Sequence, residues 1–149
     1  MRIRPIESRD WPEWRRMAEA LFPGEPPEGY QAELKRLQLS EDAAVLMAER
    51  PDGSVCGYVE VGSRPYADGC DTSPVGYIEA WYVDPDVRRS GYGRALLEAA
   101  ESWARSRGYS EVASDALIDN KVSYAAHIRS GYSEVERIVQ FRKSLVAER

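Results

Sequence analysis

The stretch from Val75 to Arg107 limits what this chain can become. Val75–Val83 is a run of Val, Tyr, Ile and Trp that reads as a strand, with one acid, Glu79, inside it. Asp84-Pro85 breaks the run. Arg88-Arg89-Ser90-Gly91-Tyr92-Gly93 follows, basic and twice interrupted by glycine. Arg94 to Arg107 then places Leu96, Ala99, Ala100, Trp103 and Ala104 on one helical face, and Gly108 stands where a helix stops. A strand, a glycine loop and an amphipathic helix need a sheet for the helix to cover, so all-helical and all-β folds are poor fits. The glycines let the backbone turn tightly and expose successive N–H groups. The first helical turn adds unpaired N–H groups and a partial positive charge. Together they form a cradle suited to a pyrophosphate, with Arg88, Arg89 and Arg94 adding charge-assisted contacts. The loop lacks the Gly-Lys-Ser/Thr ending of a nucleotide-hydrolysing loop and the three-glycine dinucleotide spacing. A bare tight connection is the alternative reading.

The remaining elements follow from periodicity. Arg2 to Ile6 reads as a short strand. Ser8 is expected to cap a helix running to Phe22, with Trp11, Trp14, Met17, Ala18 and Leu21 on one side. Glu28 to Leu39 reads as a second helix. Ala43 to Glu49 and Val55 to Gly62 form a hairpin around Pro51-Asp52-Gly53. Arg64 to Pro74 is a loop, Glu111 to Asp115 a short strand, Asn120 to Ser130 a helix, and Tyr132 to Lys143 a last strand. The order β-α-α-β-β-β-α-β-α-β predicts a mixed α/β fold around one partly antiparallel sheet, in a single domain over residues 1–149.

Composition narrows the partners. The 149 residues are 43% hydrophobic, enough for a core without staples. No apolar run is long enough to span a bilayer, and no secretory h-region follows the N-terminal charges. Cys56 and Cys70 are too few for a disulfide framework, which suits a cytoplasmic protein. The net charge of −5 argues against a nucleic-acid partner and favours a cationic one. Residues 65 to 87 hold Asp68, Asp71, Glu79, Asp84 and Asp86 with no Lys or Arg, and residues 110 to 120 hold Glu111, Asp115 and Asp119 with none. A basic loop flanked by acid-only stretches suits an anionic cosubstrate beside a cationic acceptor. Strand alternation places Glu79 on one face with Tyr77 and Trp81, either as an exposed edge residue or as a functional carboxylate. Asp115 is either a turn former or a second acid. No metal site is expected.

The hexapeptide Arg88–Gly93 resembles the acyl-CoA motif of the GNAT N-acetyltransferase superfamily. Tyr82-Val83-Asp84-Pro85 before it, Asn120 to Tyr132 after it, and the element order resemble that family too. The resemblance implies a GNAT fold, a central mostly antiparallel sheet splayed at strands 4 and 5 and flanked by helices. It implies acetyl-CoA as cosubstrate, its pyrophosphate on the backbone of Arg89, Ser90, Gly91, Tyr92, Gly93 and Arg94, with Arg88 and Asn120 nearby. The pantetheine arm would lie along Trp81, Tyr82 and Val83, in a cleft opened by a bulge near Glu79 or Ala80.

A narrower resemblance rests on Arg64 to Val75 (RPYADGCDTSPV), Leu21-Phe22-Pro23-Gly24, Ala113-Ser114-Asp115 and Glu136-Arg137-Ile138-Val139. These stretches are similar to those of chromosomal-type aminoglycoside 6′-N-acetyltransferases, although Phe22 stands where Trp is usual and Asp68 where Asn is. The resemblance implies catalytic roles for Glu79, Asp115 and His127, with Glu79 on the base side and His127 facing the leaving thiolate. It implies an acceptor site of Phe22, Tyr66, Asp71, Glu79, Asp115 and Glu136, and a homodimer. His127 reads equally as a helix-face residue packed near the sheet, and Tyr124 is a weaker candidate for the same acid. An acetyltransferase for another polyamine or a peptide amine, and a non-catalytic acyl-CoA sensor, remain open on the sequence.

Overall fold

The computed structural model describes residues 1–147. Five strands form one sheet in the order β1-β2-β3-β4-β5. They are β1 (Arg2–Pro5), β2 (Ala43–Glu49), β3 (Val55–Arg64), β4 (Val75–Val83) and β5 (Val112–Ser114). The first four run antiparallel, and β5 joins β4 in parallel. The helices are α1 (Trp11–Leu21), α2 (Pro27–Leu39), α3 (Tyr92–Ser106) and α4 (Lys121–Arg129).

Helices cover both faces of the sheet, so its central strand is apolar on both sides. That explains why Val55 to Gly62 reads as a nearly continuous apolar run. On one face Trp14, Met17 and Ala18 of α1 and Tyr30 of α2 pack against Val45, Met47, Tyr58 and Ala80. On the other, Leu96, Leu97 and Ala100 of α3 pack against Ala48, Val59, Val61 and Ile78. The amphipathic stripe expected for α3 is therefore met by the sheet.

Four expectations need correction. Ser8 does not cap α1. Residues Ser8–Asp10 form a 3₁₀ turn in which Glu7 and Asp10 make a reciprocal capping box, and α1 starts at Trp11. The Asp10 carboxylate is fixed further by buried Arg4, which also pairs with Glu49. The third helix begins at Tyr92 rather than Arg94, so the end of the glycine loop is already helical. Trp81 does not share a face with Glu79. Finally, the described residues after Tyr132 form no strand of this sheet, and Val135, Ile138 and Phe141 lie exposed. The alternation of that stretch was legible, but it does not reveal which sheet edge, if any, the segment meets.

Candidate active site

The site grows from an irregularity in β4. Tyr58 of β3 faces Tyr82 and Glu60 faces Ala80, but Val61 faces Ile78, so Glu79 is an extra residue. This β-bulge turns Glu79 and Ala80 to the same side of the sheet and flips the phase beyond it. Glu79 and Ala80 line a cleft beneath α1 and α2. Ile78 and Trp81 pack on the α3 side. Pairing of β4 with β5 stops at Ile78 and Ser114, while β4 continues to Val83. β5 ends there, so from Glu79 onward that edge of β4 has no strand partner, and a gap opens beside the bulge.

On the α3 side of the gap lies the glycine loop. Gly91 has φ +89° and is the residue before α3, where its left-handed backbone suits glycine. Arg89, with a side chain, also sits at φ 63°, the kind of strained conformation that clusters at ligand sites. No side chain caps α3, so its first N–H groups are left for an anion. A Cβ on Gly93 would come 3.2 Å from the Trp81 ring, whose Nε1 donates to the Gly93 carbonyl at 3.1 Å. The absence of a side chain at Gly93 therefore seats the helix end against β4. Arg88 Nε donates to the Val83 carbonyl at 2.9 Å, and Asp84, just past the strand, is held by Arg16 and Arg50. Burial alone would raise the Asp84 carboxyl, but the two arginines hold it low. These contacts fix the strand end that launches the loop. Tyr92 is buried, whereas Ser90 and Arg94 are exposed. Asn120 caps α4, its Oδ1 accepting from the Ser123 N–H.

His127 of α4 stands on this same side, its ring edge-on to Trp81 with centroids 5.0 Å apart. Its Nδ1 lies 2.7 Å from the Ser123 carbonyl and its Nε2 2.8 Å from Ser114 Oγ. The carbonyl can only accept, so Nδ1–H donates to it, and the Ser114 hydroxyl can serve Nε2 as donor or as acceptor. His127 thereby braces the end of β5. Tyr124 turns away and donates to Glu134.

On the opposite side, the cleft beneath α1 and α2 has a volume of about 440 Å³. Trp14, Tyr30 and Tyr58 form its floor and Phe22 its rim. Its carboxylates are Glu25, Glu33, Glu60 and Glu79. Arg64 grips Glu79 through both Nε and Nη2, at 2.9 and 2.5 Å, and lies 3.5 Å above the Tyr77 ring. Tyr77 in turn donates to Asp115 at 2.6 Å. Glu79, Arg64, Tyr77 and Asp115 thus form one continuous chain at the mouth of the gap. Burial and then Asp115 push the Tyr77 hydroxyl well above its usual range, so it stays a donor.

Glu79 and Phe22 line the cleft, with Asp115 tied to Glu79 through Tyr77 and Arg64, while Trp81, Gly93 and His127 meet on the other side. Tyr66, Asp71, Asp115 and Glu136 lie outside the lining of the cleft. Tyr66 is exposed, Glu136 is exposed on the C-terminal segment, and the Asp71 N–H is bound by Glu111. Several acids of the basic-free stretches serve the frame: Asp84 and Asp86 pair with Arg50, and Glu111 accepts from Thr72. The cleft takes only Glu79 from these stretches; its other carboxylates are Glu25, Glu33 of α2 and Glu60 of β3, which sequence reasoning missed. The signal for Glu60 was available: a lone carboxylate between Val59 and Val61.

The residues from 6 to 132 match the family model described as the acetyltransferase (GNAT) family. The chain is 41% identical over 146 residues to aminoglycoside N(6′)-acetyltransferase type 1 of Klebsiella aerogenes, covering 96% of each chain. It is 38% identical to the enzyme of that name from Stenotrophomonas maltophilia, over 96% of this chain and 93% of the other. Among solved structures, it superposes with a TM-score of 0.90 on AAC(6′)-Iy in complex with the bisubstrate analogue CoA-S-monomethyl-acetylneamine. That chain is 30% identical, with coverage of 96% and 97%. The apo aminoglycoside 6′-N-acetyltransferase AAC(6′)-IG of Acinetobacter haemolyticus also gives 0.90, at 33% identity and coverage of 98% and 100%.

Proposed function

The chain belongs to the GNAT family of acetyltransferases, and from that premise we propose that it transfers the acetyl group of acetyl-CoA to the 6′-amine of an aminoglycoside, conferring resistance. The observation that carries this reading is the bulge in β4. It sends Glu79 into an acid-lined cleft and Trp81 to the side of the glycine loop, so a polycationic amine and an anionic thioester have separate approaches to one gap. Relatives sharing 31–41% identity bear the aminoglycoside acetyltransferase name, which supports the choice of acceptor.

The chemistry asks little of the protein beyond position and one proton. The pyrophosphate is held by the backbone of Arg89 to Arg94 at the start of α3, with Arg88 and Arg94 beside it. The pantetheine arm lies along Trp81 to Val83, where β4 has no neighbour. The acceptor ammonium is drawn to Glu79 and Asp115. Its proton passes to Glu79, directly or through a water, leaving a neutral amine. The amine nitrogen attacks the thioester carbonyl carbon. A backbone N–H of the splayed strand stabilises the oxyanion as the C–N bond forms. The intermediate then collapses, the C–S bond breaks, and the extra proton on the new amide nitrogen passes to the departing CoA sulfur, which leaves as the thiol. A thiolate is a fair leaving group, so His127 serves first to hold β5 through Ser114; acid assistance would require a proton on Nε2.

Tyr66, Asp71 and Glu136 belong to this reading as outer acceptor contacts. We also read residues 1–149 as one acetyltransferase domain that works as a homodimer. The exposed apolar side chains of Val135, Ile138 and Phe141 on an extended C-terminal segment support an interface there. Neither nucleic acid nor membrane is a partner in this reading; no helix among the described residues is long and apolar enough to cross a bilayer. A cytoplasmic location suits the free thiols of Cys56 and Cys70.

The test is thiol release from acetyl-CoA with a panel of aminoglycosides, polyamines and short peptides, followed by location of the acetyl group on the product. Fast turnover with a 6′-acetamide is expected. Activity confined to polyamines or peptides would keep the chemistry and reject the acceptor. Silence with every amine would reject the enzyme.

A further inference from the structure

The cleft holds a second pair of carboxylates that the transfer step does not use. Glu60 lies in β3 opposite Ala80, and its side chain is only 7% exposed. A buried carboxylate needs a counter-ion. Arg36 of α2 supplies it: Nη2 stands 3.0 Å from Glu60 Oε2 and 2.6 Å from Glu33 Oε1, and Nε stands 3.1 Å from Glu33 Oε2. Yet the Arg36 side chain is 52% exposed. It is a cation reaching in from water on a flexible stem. Glu79 is neutralised in the same manner by Arg64, which is also half-exposed. Glu79 and the Glu33–Glu60 pair are thus each covered by an arginine that has somewhere else to go.

We propose that Glu33 and Glu60 form a second ammonium subsite of the acceptor cleft, in which the Arg36 guanidinium holds the place of a substrate ammonium until the substrate arrives. This rests on the acceptor reading above and adds to it. The ligand class is a polyamine with at least two ammonium groups, one presented to the gap at Glu79 and another to Glu60, one strand away. On binding, Arg36 swings into solvent, where half of it already is, and the ammonium takes both carboxylates. Glu60 keeps a counter-ion in both states, which answers why a carboxylate persists in an otherwise apolar strand.

The groups facing Glu60 are Glu33 and Arg36 from α2, Glu79 from β4 and the hydroxyl of Tyr58 on its own strand. Burial, and then the neighbouring Glu33, push the Glu60 carboxyl up to about 7 against the pull of Arg36. The subsite therefore gains negative charge as pH rises through neutrality.

Isothermal titration tests this with wild type and the variants Glu60→Gln, Glu33→Gln and Arg36→Gln. Each is titrated with an aminoglycoside carrying several amines and, separately, with CoA. Glu60→Gln and Glu33→Gln should each weaken aminoglycoside binding about tenfold and leave CoA binding unchanged. Arg36→Gln should bind the aminoglycoside at least as tightly as wild type. The gap in affinity between wild type and Glu60→Gln should open as pH rises through about 7. Equal aminoglycoside affinity in wild type and both glutamate variants overturns the subsite. So does a tenfold loss in Arg36→Gln, which would make Arg36 a substrate contact. Should Glu60→Gln fail to fold, Glu33→Gln and Arg36→Gln, both on a half-exposed helix face, carry the test. A wild type that binds no aminoglycoside defeats the acceptor reading itself and the subsite with it, a result distinct from unchanged affinity in the variants.

Discussion

Glu79 and Trp81 are two residues apart in one strand and face opposite sides of the sheet. In a regular strand they would share a face. The bulge opposite Glu60 and Val61 separates them, sending Glu79 beneath α1 and α2 and Trp81 against Gly93. One extra residue therefore gives a single strand an acceptor side and a cosubstrate side. It also lies where β5 leaves β4, so the two sides meet at an opening.

This separation makes Glu79→Gln a clean probe. The amide keeps the shape of the side chain and removes its capacity to take a proton. Turnover should fall by about 10²–10⁴-fold, the usual worth of a positioned acid or base. CoA affinity, measured by titration, should stay at the wild-type value because the other face is untouched. Equal losses in turnover and CoA binding would place Glu79 in the frame and not in the chemistry.

Gly91→Val examines the cosubstrate side. Gly91 sits at φ +89° before α3, and a β-branched residue is strained there by about 1–2 kcal/mol. The added side chain also crowds the backbone that the pyrophosphate must approach. CoA affinity should drop by at least about tenfold while the far-ultraviolet spectrum stays that of the folded protein. Unchanged affinity would remove the glycine loop from the cosubstrate site.

How much of this was written in the sequence depends on range. The glycine loop, the stripe on α3 and the helix stop at Gly108 are local patterns, and all were legible. A bulge near Glu79 was expected from family resemblance, but alternation alone set Trp81 beside Glu79 on one face. The Glu33–Arg36–Glu60 cluster joins a helix to a strand across the core, and spacing along the chain does not encode that meeting. Acid-only stretches misled for the same reason. Asp84 and Glu111 find their partners in distant segments and become part of the frame. The last stretch, Tyr132 to Lys143, has the composition of a strand, but pairing is a property of two strands.

That unpaired stretch yields a prediction about assembly. Phe141 is 91% exposed, and Val135 and Ile138 are exposed with it. Apolar side chains in this density favour association, most simply as a two-fold dimer. Sedimentation equilibrium should give twice the chain mass for wild type and a shift towards the monomer for Phe141→Asp. A monomeric wild type at working concentration would reject the dimer.

Glu60 sets a stability cost against its proposed use. Its carboxyl, raised to about 7 by burial, returns to about 4.3 on unfolding. The folded state therefore binds more protons between these values, and stability falls as pH rises through that window. Asp10 and Asp84, held low by their arginines, act in the opposite sense: they stabilise above the ordinary aspartate range and lose this only as pH falls through their lower folded values. The range from about pH 5 to pH 8 thus isolates Glu60 from those carboxylates. Glu60→Gln abolishes the titration and should raise the melting temperature at pH 8 while changing it little at pH 5. The rise should amount to about 2–4 °C for each kcal/mol recovered at this chain length. A variant more stable at pH 8 yet weaker for a polycationic acceptor is the pattern expected of a carboxylate kept for binding. A melting temperature lowered equally at both pH values would instead make Glu60 part of the structural core.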